Sequence, residues 1–97
     1  MRVELACRAL RERKCLELRY EGWSRTVEVH AVGYSKEGNP LMRVWQAQGG
    51  SNSGVKGWKL LRLDEVMSGH ICSENSNAPR QGYKRGDRAM DRIVCQL

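Results

Sequence analysis

Residues 2–14 carry apolar side chains at helical spacing. Val3, Ala6, Cys7 and Leu10 fall on one face, with Leu5 and Ala9 flanking it. The basic residues Arg11, Arg13 and Lys14 crowd the end of this segment, where positive charge suits the helix dipole. At Cys15 the period drops to two, which predicts a strand. In Cys15–Glu21, Leu16, Leu18 and Tyr20 point one way and Glu17, Arg19 and Glu21 the other. Gly22 allows a turn into a second strand, roughly 24–35, with Val27, Val29 and Ala31 on one face and Thr26, Glu28 and His30 on the other. The turn residues of 36–40 (KEGNP) lead to a third strand, roughly 41–48. There Met42 and Val44 oppose Leu41, Arg43 and Trp45.

The stretch 49–57 (GGSNSGVKG) is a glycine- and serine-rich hairpin loop, too polar for a core element. A fourth strand follows at 58–66, with Leu61 and Leu63 inward and Trp58, Leu60 and Arg62 outward, and a short fifth covers 70–73. Residues 73–86 are polar and loop-like. Asp87 is placed to cap a final helix presenting Met90, Ile93, Val94 and Leu97, although the short, partly β-branched DRIVCQL also fits a strand. The pattern predicts a mainly β chain. About five antiparallel strands curl into a small Sm-like or SH3-like barrel, with an N-terminal helix and a short C-terminal helix.

Length and composition agree with one domain over residues 1–97: 40% of residues are hydrophobic and 29% charged. Residues 5–67 form the helix and barrel core, and 68–97 the last strand, basic loop and terminal helix. No apolar run approaches the roughly 20 residues of a membrane span. The first residues lack the apolar core of a signal peptide, which places the chain in the cytoplasm, away from membranes. Cys7, Cys15, Cys72 and Cys95 form no C-x-x-C pair and have no histidine at metal-ligand spacing, so they are expected as free, reduced thiols without a metal.

The net charge of +6 favours anionic partners. The charge concentrates at Arg8–Lys14 and again at Arg80, Lys84, Arg85, Arg88 and Arg92. Signatures of phosphate-loop, serine-hydrolase, zinc-protease and dinucleotide sites are absent, and neither His30 nor His70 has a sequence-evident nucleophile to serve, so no enzyme activity and no cofactor are expected. What alternation does assemble is a face. Arg43 and Trp45 on the third strand neighbour Trp58, Leu60 and Arg62 on the fourth. Indole rings beside guanidinium groups make a platform for stacking bases and pairing phosphates. The competing reading is that one of the terminal helices packs on this face, making Trp45, Trp58 and Leu60 core residues, with Glu28 partnering Arg43 and Arg62.

The segments Leu16–Gly22, Arg25–Gly33 and Gly57–Val66, in that order after a basic helix, resemble the WYL domain, a small barrel of the Sm-like type. The resemblance spans roughly residues 5–67. It implies a ligand-sensing module of the kind attached to bacterial transcription regulators, or found beside nucleases and helicases, binding nucleotides or single-stranded nucleic acid. It also implies that Lys59 and Arg62 occupy the two basic positions of the fourth-strand motif. Of the Trp-Tyr-Leu triplet only Leu41 is matched, and no helix-turn-helix accompanies the domain, as in a stand-alone relative. The expected binding residues are therefore Arg62, Lys59, Arg43, Trp45, Trp58 and His30. The alternative is a protein-interaction or homodimerising domain with no nucleic-acid ligand, which the tryptophans and open strand edges would serve.

Overall fold

In the computed structural model, which describes residues 1–97, the first helix covers its whole apolar pattern but ends two residues short of the expected span 2–14. Helix α1 runs Val3–Glu12 and stops where Arg13 turns left-handed (φ 55°), its N–H bonding back to the Ala9 and Leu10 carbonyls. That turn aims the chain straight into β1 (Lys14–Tyr20). Glu21 and Gly22, both at positive φ, then form a two-residue hairpin into β2 (Trp23–Tyr34), closing the Tyr20–Trp23 pair. Strands β3 (Pro40–Gly49) and β4 (Gly57–Arg62) follow. A single 3-10 turn, Leu63–Glu65, leads to β5 (Ser68–Asn75), and β6 (Arg92–Gln96) ends the chain.

The strands form one open antiparallel sheet in the order β4-β3-β2-β1-β5, with β6 paired to the far end of β2. The inner face is apolar as the alternation requires, except at one end, where the buried Arg25 donates to the buried Gln46 at 3.3 Å. Leu16, Leu18, Val27, Val29, Met42, Val44, Leu61 and Leu63 pack with Ala6, Cys7, Ala9 and Leu10 of α1. Tyr20 joins them, and its hydroxyl accepts the Arg62 N–H at 3.2 Å and donates to Glu65 at 3.0 Å. No helix is long and apolar enough to cross a membrane.

Three expectations are corrected. Ala31 does not share the face of Val27 and Val29. A β-bulge falls between Val29 and Ala31, so Val32 takes the inward position opposite Met42, and Ala31 faces outward opposite Arg43. There it forms a second small cluster with Leu41 and Met90.

The C-terminal segment is a strand and not a helix. Asp87 does cap a turn, accepting the Ala89 N–H at 3.0 Å, but the turn ends at Met90. The unpaired edge of β2 at Ala31–Tyr34 then recruits Arg92–Gln96 as β6, which leaves Val94 exposed. At Gly33 the strands approach so closely that a Cβ would lie 2.3 Å from the Arg92 carbonyl oxygen, and only glycine fits there.

Finally, Cys7 and Cys95 are joined in a disulfide that ties α1 to β6 across a sequence separation of 88. Only Cys15 and Cys72 are free thiols. Cytosolic disulfides are rare, so this bond sits poorly with the reducing compartment expected from the N-terminal sequence.

Candidate functional site

The outer face of the sheet holds the side chains that alternation assigned to it. Glu28 pairs with Trp45 and Trp45 with Trp58 in register, so these three form a row across β2, β3 and β4. Arg43 pairs with Leu60 one rung along. The face is covered by the irregular segment 76–91 rather than by a terminal helix, and Glu28 partners Arg80 of that segment, while Arg43 pairs with Asp87 and Arg62 with Asp64.

Glu28 anchors that segment. Its carboxylate is buried, accepts the Asn77 N–H at 2.9 Å and takes both Nε and Nη2 of Arg80 at 2.7 and 3.1 Å. The Arg80 guanidinium lies over the Trp45 ring, 5.3 Å from its centroid. His30, fully buried at the bulge, supplies a second anchor. Its Nδ1 is 2.9 Å from the Glu28 carbonyl oxygen and its Nε2 is 2.9 Å from the Arg80 amide nitrogen. A carbonyl can only accept and an amide N–H can only donate, so the ring is neutral with its proton on Nδ1. The third anchor is Asp87, which receives Arg43 Nε and Nη2 at 2.6 and 3.1 Å.

All three anchors favour the same protonation state. Burial alone would raise Glu28, but the Arg80 and Asn77 donors outweigh it and hold the carboxyl below its ordinary 4.5. The Arg43 hydrogen bonds hold Asp87 below 3.8, against the effect of burial. Burial pushes His30 below 6.5. In each case the unfolded chain binds protons more readily than the folded one, so stability rises with pH through the affected range. The contribution of His30 is complete above about pH 6.5 and declines as pH falls through its folded value. Those of the carboxylates decline below about 4.5. Thermal melts from pH 7.5 to 3.5 are expected to show a falling Tm that steepens below 4.5. A Tm independent of pH over that span would contradict the anchor assignments.

Beside the covered row the same segment leaves an open groove of about 630 Å³. Its walls are Trp58 and Arg43 from the sheet and residues 82–88 from the segment, including Tyr83, Lys84, Arg85 and Arg88. Gly82 adopts φ +93° against the Trp58 Nε1 edge, where a Cβ would come within 3.3 Å of that nitrogen. The Trp58 and Tyr83 rings run nearly parallel, with an interplanar angle of 29° and centroids 6.4 Å apart. His30 meets Trp58 edge-on from beneath at 4.6 Å. Lys84, Arg85 and Arg88 are exposed, and none takes part in any of the chain's ion pairs.

The structure therefore sorts the sequence-derived residues. Trp58 and Arg43 line the groove, although Arg43 is neutralised by Asp87. Trp45 stands behind Trp58, edge-on at 5.4 Å and under Arg80. His30 is sealed in and serves the scaffold. Arg62 lies outside the groove and forks onto Asp64 at 3.0 and 2.6 Å. Lys59 points to the other side of β4, to the Ser51 and Ser53 hydroxyls at 3.4 and 3.0 Å. Sequence reasoning missed Tyr83 and the loop cations as site residues, because residues 76–91 have no periodicity to assign a face. Their one trace was the concentration of positive charge from Arg80 to Arg92. No protein-family model, curated protein or solved structure matches this chain.

Proposed function

We propose that this chain is a small WYL-like module, its sheet curled as an Sm-type barrel, that binds a nucleotide or single-stranded nucleic acid in the groove between Trp58 and residues 82–88. The observation that carries the reading is the coincidence, in one groove, of two aromatic side chains with Lys84, Arg85 and Arg88, which no acidic group neutralises. A base has indole and phenol rings to stack on, and its phosphates have unpaired cations within the same walls. Arg43, held flat by Asp87, contributes shape and a partly exposed guanidinium edge in place of net charge. The element order supports the barrel reading: a meander of four strands, a one-turn 3-10 helix and a fifth strand returning to β1.

The test is the anisotropy of a labelled single-stranded oligonucleotide, titrated at several salt concentrations. The wild type is expected to bind in a salt-sensitive way. The variant carrying Lys84→Ala, Arg85→Ala and Arg88→Ala should bind at least tenfold more weakly, with the slope of log K against log salt shallower by about two. Arg62→Ala, outside the groove, should bind like the wild type. Equal binding and equal slopes for the wild type and the triple variant would refute the assignment.

A further inference from the structure

The row Glu28–Trp45–Trp58 continues on its other side into a pair of thiols. Leu16 pairs with Val27 of β2 and with Ile71 of β5, so Cys15 lies one step past a regular rung, toward Glu28 on one side and Cys72 on the other. A bulge falls at this rung. Lys14 pairs with Asn75, which leaves Cys72, Ser73 and Glu74 against Cys15 alone. The Cys72 thiol is 3.3 Å from the Cys15 carbonyl oxygen, and the Cys15 thiol is 3.6 Å from the Asn75 carbonyl oxygen. The Cys72 thiol also lies within hydrogen-bonding reach of the Cys15 thiol, so the bulge leaves the two sulfurs side by side.

The two thiols differ in access. Cys15 is buried at 2% exposure, whereas Cys72 is only half-buried, on the last strand of the sheet with no neighbour beyond it.

We propose that Cys15 and Cys72 form a redox-modification site that takes a low-molecular-weight disulfide, with Cys72 as the attacking thiol and Cys15 as the resolving one. The Cys72 thiolate attacks one sulfur of the small disulfide. A mixed disulfide forms on Cys72, and the first small thiolate leaves and takes up a proton. The Cys15 thiolate then attacks the Cys72 sulfur, forming the Cys15–Cys72 bond and expelling the second small thiolate, which is protonated in turn. The two protein thiols are oxidised by two electrons, and the small disulfide is reduced to two thiols.

The order of attack follows from access and is reinforced by acidity. Burial first, then the neighbouring Cys72, Glu28 and Glu74, push the Cys15 thiol up to about 11. Its thiolate is therefore scarce, and it reacts only with the sulfur held beside it. A bond here would pin the edge strand β5 to β1, much as Cys7–Cys95 already pins α1 to β6.

The test is incubation of the full chain with oxidised glutathione, followed by thiol titration under denaturing conditions and peptide mass mapping. The two free thiols of the wild type should fall to none, with a Cys15–Cys72 cross-linked peptide and no retained glutathione. Cys15→Ser should stop at the first step and retain one glutathione on Cys72. Cys72→Ser should leave Cys15 as a free thiol. The proposal is overturned if the wild type keeps both thiols. It is equally overturned if glutathione persists on wild-type Cys72, or if Cys15 or Cys72 is found bonded to Cys7 or Cys95.

Discussion

Replacing Cys7 and Cys95 together by serine is expected to lower the unfolding free energy by about 4 kcal/mol. For a chain of this length that corresponds to a Tm fall on the order of 20 °C. The bond closes a loop spanning almost the whole sequence, the cysteines lying 88 positions apart, and loop-closure entropy grows with that length. It also joins two elements that are otherwise lightly held. Helix α1 packs on the sheet through one short apolar face, and β6 pairs only with the end of β2. Thermal melts of the double variant, and of the wild type with a reducing agent, should show the same loss. A fall below about 1 kcal/mol in both would mean that packing alone docks α1 and β6.

The second large effect concerns Glu28. Glu28→Ala should cost about 2–3 kcal/mol, because it leaves the half-buried Arg80 guanidinium without its counter-charge and the Asn77 N–H without its acceptor. Arg62→Ala removes an ion pair of equally short N–O distance, yet both its partners are substantially exposed, and it should cost well under 1 kcal/mol. Burial decides the difference: the Glu28 carboxylate is 1% exposed and Arg80 only 31%, so water compensates there in part, whereas at Arg62 and Asp64, 40% and 46% exposed, it replaces the lost partner more fully. The loss of Glu28 should also free segment 76–91 and expose Trp45, seen as a red shift of tryptophan emission. Replacing Glu28 and Arg80 together by methionine should restore most of the stability, since no charge is then left unpaired. Chemical denaturation with fluorescence readout separates these cases. Equal costs for Glu28→Ala and Arg62→Ala would contradict the anchoring role.

What the sequence made legible was whatever depends on local period. The alternation in β1, β3 and β4 sorted Leu16, Leu18, Met42, Val44 and Leu61 inward, and placed Arg43, Trp45, Trp58, Leu60 and Arg62 together on the other face. The hidden features are those decided by distant partners. The bulge at His30 shifts Ala31 to the outer face because Arg80 and Leu97 bind His30 from outside the strand, and nothing in 24–35 encodes them. DRIVCQL satisfies both periods, and the free edge of β2 selects the strand. Spacing could not pair Cys7 with Cys95, because only the docking of α1 beside β6 brings them together.

For the candidate groove, charge marked the segment that lines it but gave no side chain a direction. Arg62 and Lys59, taken from the fourth-strand motif, are engaged elsewhere, with Asp64 and with Ser51 and Ser53. The groove took its place through Tyr83 and the loop cations.

The most direct measurement is chemical-shift mapping of the backbone amides and indole N–H groups during titration with a short single-stranded oligothymidine. The groove assignment predicts that the largest shifts fall on residues 82–88 and on the Trp58 indole N–H, with Arg62 and Lys59 nearly unmoved. Shifts centred on Lys59 and Arg62, or no shifts at all, would contradict it.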